Sequence, residues 1–403
     1  VRRECADDFL LRGKQPLLSH LDIELTERCN NDCIHCTINL PLKDDEARNK
    51  ELSTEEIKSV LLQTAGLGCL SVRMTGGEPL IRNDFSELYL FTRKIGMKVI
   101  LFTNATLITP EMADLFAKFP LLENIEISLY GMSKASYEAV SRKAGAFESA
   151  QRGIALLLER NIPFEIKGVL LPQTKHEIGD IEVFARAIPW MDHPPVLSIF
   201  LDLRCRRDSD TKNRLIIGLR NSPEDCLNYL TRDKKAYIEE KKAFFRQFSR
   251  IPGQGLFPCM PGVESACVDA YGQLQLCMML KHPDTLYNLN IGTLKEGILH
   301  FFPQIREMKA RNPEYLRRCA RCFLYGLCEQ CPAQSWMEHG TLDTPVEYHC
   351  EVAHEQARFL GLIGRAEMAW DVRDWKERIR KFAGEYPKQD QAKCNREKII
   401  KEE

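Results

Sequence analysis

"LDIELTERCNNDCIHC", residues 21–36, decides how this chain is read. Its first half alternates Leu21, Ile23 and Leu25 with Asp22 and Glu24, the period of a strand with one apolar face. Its second half packs Cys29, Cys33 and Cys36 into a short loop, and no fourth cysteine follows nearby. Short spacers let thiolates from one loop converge on one metal centre. Structural zinc wants four ligands, and catalytic zinc keeps three that are usually His-rich. Three thiolates on a four-iron cluster leave one iron open for a substrate or cofactor. His35, inside the loop, reads as packing or as support for the ligands rather than as a ligand.

The chain has 403 residues, enough for one large domain or two modest ones. Apolar residues make up 44% and charged residues 28%, as in ordinary globular proteins. A net charge of -1 gives no bulk electrostatic grip on nucleic acid or anionic membrane. No stretch approaches the roughly 20 apolar residues that span a bilayer. The opening "VRRECADDFLLRGKQPLLSH" is charged and lacks the apolar core of a secretory signal. The expected compartment is therefore the reducing cytoplasm, where 16 cysteines favour metal over disulfides. A secreted disulfide framework is disfavoured, because the long helical and strand patterns need no covalent staples.

Outward from the cysteine loop, strand and helix patterns alternate. Strands are expected at 21–25, 69–75, 98–103, 124–129, 163–171 and 196–203. Helices are expected at 53–68, 84–96, 109–120, 147–161 and 176–188. Ser53 and Glu56 have capping-box spacing, and Thr109-Pro110 is a helix start. Such alternation implies a parallel sheet with right-handed crossovers, doubly wound or an incomplete barrel. In both, chemistry belongs at the carboxyl ends of the strands. Residues 1–17 form a short lead-in, 18–205 the α/β domain and 206–250 a charged helical bridge. Residues 251–354 are dense in Gly, Pro and Cys and read as a small loop-rich domain that needs metal for a core. Residues 355–403 read as a helical tail whose end, "KQDQAKCNREKIIKEE", is frayed.

CxxxCxxC after the first strand, followed by Gly76, Gly77, Glu78 and Pro79 at the end of the second, resembles the radical S-adenosylmethionine superfamily over roughly residues 18–205. The resemblance implies a partial (β/α)6 barrel. It also implies that Cys29, Cys33 and Cys36 hold a [4Fe–4S] cluster whose open iron chelates S-adenosylmethionine. Reductive cleavage would yield a 5′-deoxyadenosyl radical that abstracts hydrogen from substrate, which demands a dry cavity. By the same resemblance Gly76, Gly77 and Glu78 receive the methionine ammonium, and Asn104 at the third strand end lies near the cofactor. Ser128 bonds the ribose, and Arg142 faces the carboxylate. Ala105 stands where relatives usually have Gly, and Tyr130 where many have Asp.

Downstream lie Cys259, Cys267, Cys277, then "CARCFLYGLCEQC" with Cys319, Cys322, Cys328 and Cys331, then Cys350. Taken alone, the paired CxxC spacings also suit zinc ribbons. After the first motif, the block resembles the SPASM extension, which carries auxiliary [4Fe–4S] clusters. That resemblance implies one cluster on Cys259, Cys267, Cys277 and Cys331 and another on Cys319, Cys322, Cys328 and Cys350, making three in all. The spacer of two between Cys328 and Cys331 is one shorter than the family commonly shows. Cys69 and Cys205 read as packing residues, although Cys205 lies at a strand end where substrate could reach it.

The expected function is an oxidoreductase or maturase of this class, most readily one that crosslinks, epimerises or oxidises a ribosomally synthesised peptide. A small-molecule substrate (a sugar, an aminocyclitol or a cofactor precursor) is the alternative, and a non-enzymatic iron–sulfur or zinc scaffold a second. Met278, directly after Cys277, argues against the sulfatase-maturing branch. Only about twenty residues precede the first strand, so leader recognition is expected from a separate binding protein. Electrons are expected from a flavodoxin or ferredoxin. Glu126, Lys167, Asp202 and Arg204 lie near strand ends as unassigned acid/base candidates.

Overall fold

A computed structural model describes residues 18–384. The segment expected to fray at the C-terminus, with Cys5 and Cys394, lies outside the described residues.

Six parallel strands run β1 (His20–Thr26), β2 (Ser71–Gly76), β3 (Lys98–Thr103), β4 (Leu122–Ser128), β5 (Phe164–Val169) and β6 (Val196–Ser198). They lie in chain order, each hydrogen-bonded to the next. Helices α1 (Thr54–Gly66), α2 (Phe85–Lys94), α3 (Pro110–Lys118), α4 (Lys134–Ser141), α5 (Ala146–Glu159) and α6 (Ile178–Ala187) make the crossovers. The caps form as the sequence dictates. Ser53 accepts from the Glu56 N–H while Glu56 reaches back, and Thr109 caps α3 ahead of Pro110. Leu21, Ile23, Val72, Met74, Val99, Leu101, Ile125 and Ile127 are buried beneath these helices.

The sheet does not stop at β1. Three further strands, β7 (Ser265–Val268), β8 (Gln273–Gln275) and β9 (Tyr287–Asn288), extend it to nine in the order β9-β8-β7-β1-β2-β3-β4-β5-β6. β7 pairs parallel to β1, matching Leu21 with Ala266 and Ile23 with Val268. The expected sixth strand is shorter than its apolar run: β6 ends at Ser198, and Ile199, Leu201 and Leu203 bury their side chains without strand pairing.

The chain forms two compact units, divided otherwise than the sequence suggests. Of the described residues, the larger comprises 18–221, 255–309 and 331–343, so part of the cysteine-rich segment belongs with the barrel. The smaller comprises 222–254, 310–330 and 344–384. This smaller unit has an apolar core of its own, including Tyr237, Phe245, Phe323, Leu324, Leu362, Ile363 and Ile379. Phe323, Leu324 and Leu327 share this core with Phe245 and Ile379, on helices outside 251–354. Among the described residues no helix is long and apolar enough to cross a membrane.

Candidate active site

The site is built around the passage from β1 into the cysteine loop. The Gly77 N–H donates to the Thr26 carbonyl at 2.7 Å and the Glu78 N–H to the Arg28 carbonyl at 3.0 Å. A Cβ on Gly76 would lie 2.1 Å from the Thr26 oxygen, and one on Gly77 2.2 Å from the Arg28 oxygen. Gly76 also has φ +134, open only to glycine. The glycines are thus required by two backbones in contact.

The loop itself is gripped from several sides. The Arg28 guanidinium is bidentate on Glu51 at 2.8 and 2.9 Å. The Asp32 and Ile34 N–H groups donate to the carbonyls of Ser141 and Val140 at the end of α4. Arg204, only 3% exposed, donates to the Asn39 carbonyl and amide oxygen at 3.1 Å each and is held by Asp208 at 2.7 Å. Arg204 is therefore a loop anchor, not an acid or base.

Cys29, Cys33 and Cys36 line one cavity of about 220 Å3 with Gly76, Gly77, Asn104 and Ser128. Glu24, Phe102, Tyr130, Met278 and Met279 are among the other residues of its wall. An adjoining cavity of about 190 Å3 shares Thr37, Ser128 and Tyr130 and adds His35, Lys167 and Asp202. The strand ends supply most of these residues, as a parallel barrel requires. Burial pushes the Cys33 thiol up to about 12 and the Cys29 thiol higher. Such thiols ionise when a bound metal offers positive charge.

Donors already face the sulfurs. The Asn31 N–H lies 3.4 Å from the Cys29 Sγ, the Asn39 N–H 3.4 Å from the Cys36 Sγ, and the Asn104 amide 3.8 Å from the Cys29 Sγ. Among the described residues, no three His, Cys, Asp or Glu side chains converge as a single metal ion would need. Zinc–sulfur bonds of about 2.3 Å would draw thiolates to within ~4 Å of one another. A three-thiol cavity with N–H groups aimed at sulfur suits a cluster that fills the space between its ligands.

Two residues expected to contact the cofactor are not among those lining this cavity. Glu78 is fully buried and does not line the cavity. Its oxygens accept from the Thr103 hydroxyl at 2.9 Å, the Asn104 N–H at 2.8 Å and the Leu80 N–H at 3.1 Å. Burial raises its carboxyl to about 7 against these donors. It braces Asn104 rather than facing the space. Arg142 caps α4 in the left-handed conformation, is half-exposed and lies 3.6 Å from Asp32. It thus meets the cysteine loop through Asp32. His35 sits edge-on to Tyr130 at 5.4 Å, and burial lowers its imidazole to about 4, so it stays neutral. The Cys205 sulfur packs 3.9 Å from that of Met279 and lines neither cavity.

Several residues here carry no motif. Lys281 is fully buried, with Nζ 2.6 Å from Glu24 and 3.5 Å from Glu27. Arg206 bonds Glu27 at 2.7 Å and Asp269 at 2.7 Å, and the Tyr271 hydroxyl reaches Glu27 at 3.1 Å. Phe102 lies between the Arg73 guanidinium at 4.5 Å and the Lys167 ammonium at 5.1 Å. Lys167 pairs with Glu126, and Arg73 with Asp22 at 2.6 Å. Asp202 accepts from the Gln334 amide at 2.6 Å, and burial raises its carboxyl.

The eight downstream thiols divide between the units. Cys259, Cys267, Cys277 and Cys331 belong to the larger, and Cys319, Cys322, Cys328 and Cys350 to the smaller. In the larger, Cys277 interacts electrostatically with both Cys259 and Cys331. Cys267 stands on β7 opposite Gln275, two residues before Cys277. In the smaller, Cys328 senses Cys319, Cys322 and Cys350. Backbone N–H groups of Leu324 and Gln330 face the sulfurs of Cys322 and Cys328.

Comparison with known proteins follows these lines. The family model of the radical SAM superfamily matches residues 23–185. The AdoMet-dependent heme synthase of Nitratidesulfovibrio vulgaris is 26% identical over 359 residues, 82% of this chain and 91% of that protein. The mycofactocin maturase MftC of Mycolicibacterium smegmatis is 32% identical over 329 residues, 80% of each chain. The structure of native anSMEcpe with bound AdoMet and Cp18Cys peptide superposes with a TM-score of 0.60 at 18% identity, covering 86% of this chain and 97% of that one. The cysteine-rich C-terminal region fits a SPASM-type domain.

Proposed function

Because this chain belongs to the radical S-adenosylmethionine superfamily, we propose that it is a maturase that modifies one residue of a ribosomally made peptide by crosslinking, epimerisation or oxidation. What supports this is the mycofactocin maturase relative, 32% identical over 80% of each chain. The two adjoining cavities beside the three thiols, about 220 and 190 Å3, together offer the room of one drug-sized pocket, about 300–1,000 Å3.

S-adenosylmethionine and a cluster on Cys29, Cys33 and Cys36 supply a hydrogen-abstracting radical when bound. The chain's own part is position and exclusion. The bare backbone at Gly76 and Gly77 admits the methionine end, Asn104 is held by Glu78, and Ser128 offers a hydroxyl toward the ribose. Phe102, Met278 and Met279 keep that wall apolar and dry. Glu24, on the cavity wall and bonded to Lys281, is the carboxylate best placed to take up a substrate proton. We assign the two downstream thiol sets to auxiliary [4Fe–4S] clusters, electrons to a flavodoxin or ferredoxin, and leader recognition to a separate small protein.

The heme synthase match, which spans most of both chains, favours a second reading in which the substrate is a cofactor precursor. Anaerobic incubation with S-adenosylmethionine, dithionite and short peptides encoded beside the gene, with and without a neighbouring carrier protein, separates the two. A loss of two hydrogens, or deuterium uptake from solvent, supports the peptide reading. Turnover of an iron porphyrin with every peptide inert overturns it.

A further inference from the structure

The smaller unit carries a charge arrangement at one of its thiols that ligation alone does not call for. Arg318 immediately precedes Cys319, and its guanidinium is bidentate on Glu347 at 2.6 and 2.8 Å. The same guanidinium donates from Nη2 to the Cys350 Sγ at 3.4 Å and lies over the Trp370 ring at 4.8 Å. Its side chain is 13% exposed. His354 approaches the same sulfur. Its Nε2 accepts from the Ala369 N–H at 3.2 Å, which fixes the proton on Nδ1. That Nδ1–H points at the Cys350 carbonyl, 2.8 Å away, and at its sulfur, 3.6 Å away. Cys350 is thus met by one permanent cation and one neutral N–H. Arg318 also interacts electrostatically with Cys319 and Cys322.

We propose that Arg318 is a positioning residue that raises the reduction potential of an iron–sulfur cluster on Cys319, Cys322, Cys328 and Cys350, with Glu347 moderating its charge. The proposal rests on the assignment of those four thiols to one cluster. Reduction adds negative charge to a cluster, and N–H bonds to sulfur and a nearby cation favour the more negative state. Bidentate pairing with Glu347 fixes the guanidinium plane, so that the second N–H of Nη2 falls on Cys350. The same pairing places a carboxylate behind the cation and weakens its field. The two residues therefore act on the potential with opposite signs.

The test uses full-length, anaerobically reconstituted protein carrying Cys29→Ala, Cys33→Ala and Cys36→Ala, so that only auxiliary clusters titrate. Iron and sulfide are counted, and a redox titration is followed by electron paramagnetic resonance. Arg318→Gln should move one couple to lower potential with iron content retained, and Arg318→Lys should restore part of the shift. Glu347→Gln should move the same couple upward. A merely structural role would lower iron content without these opposite shifts. Unmoved potentials at full iron content overturn the proposal. If Arg318→Gln loses iron, Glu347→Gln decides alone, and a couple that stays or falls overturns the proposal. Cys350→Ala with undiminished iron would instead refute the ligand assignment and carry the proposal down with it.

Discussion

Lys281→Met tests whether the buried ion network beside the cavity holds the larger unit together. The Lys281 ammonium is 0% exposed and Glu24 1%, with 2.6 Å between them. Removing one partner of a buried pair costs about 3–5 kcal/mol, because the other charge is left without compensation. Glu27 keeps Arg206 and Tyr271, so the loss falls on Glu24, and about 3 kcal/mol is expected. The effect depends on pH. Burial, only partly opposed by Lys281, already raises the Glu24 carboxyl to about 7. A group whose folded value lies above its unfolded value of ~4.3 is best accommodated protonated. Its penalty is absent below the unfolded value, grows as pH rises between the two values and levels off above the folded one. Without Lys281 the folded value climbs further, so the variant should lose more at pH 8 than at pH 6. Urea unfolding of the anaerobic full chain, followed by fluorescence, reads both. A deficit under about 1 kcal/mol at pH 8 would refute the reasoning, as would a deficit that grows on acidification.

Three further outcomes are expected. Replacing Cys29, Cys33 and Cys36 together with Ala should abolish 5′-deoxyadenosine formation and reduce iron from about twelve to about eight per chain, measured by chromatography and iron assay. Gly76→Ala should cost roughly 2–6 kcal/mol through strain and a backbone clash, seen as insoluble protein or lost S-adenosylmethionine binding. Ala105→Gly should stabilise by about 0.5 kcal/mol, since Ala105 sits at φ +60, where a side chain costs ~1–2 kcal/mol before the extra unfolded-state entropy of Gly is deducted; an unchanged or lowered urea midpoint would count against it.

The barrel strands and their helices were legible because period and caps agreed at each. "KVILFT" is a strand over its whole length, and Ser53 and Thr109 cap where their spacing requires. The cysteine loop and the glycine turn were legible because both are local. What was hidden is nonlocal. "SACV" and "QLQ" are too short and too broken by turns to announce a sheet extension, and only pairing with β1 makes them strands. Nothing local marks Asp22 and Glu24. In the folded chain they are buried against Arg73 and Lys281, from distant parts of the sequence. Glu78 and Arg142 were expected at the cofactor from their motif positions. Which way each side chain points was set by Thr103 and Asn104 in one case and by a left-handed helix end in the other. The apolar core around Phe323 and Leu324 was hidden because its partners, such as Phe245 and Ile379, lie far from them in the sequence.

The division of the eight downstream thiols has a consequence for how the protein is made. Cys328 and Cys331 stand three positions apart, yet they serve different units. During synthesis the set containing Cys259 stays incomplete until Cys331 leaves the ribosome. By that moment Cys319, Cys322 and Cys328 of the other set have emerged, and only Cys350 is still to come. If both sets hold clusters as proposed, iron–sulfur delivery meets seven of the eight downstream sulfurs at the moment the first set becomes complete and the second still lacks Cys350. Limiting iron during expression should accordingly yield chains with mispaired ligands rather than chains missing one cluster cleanly.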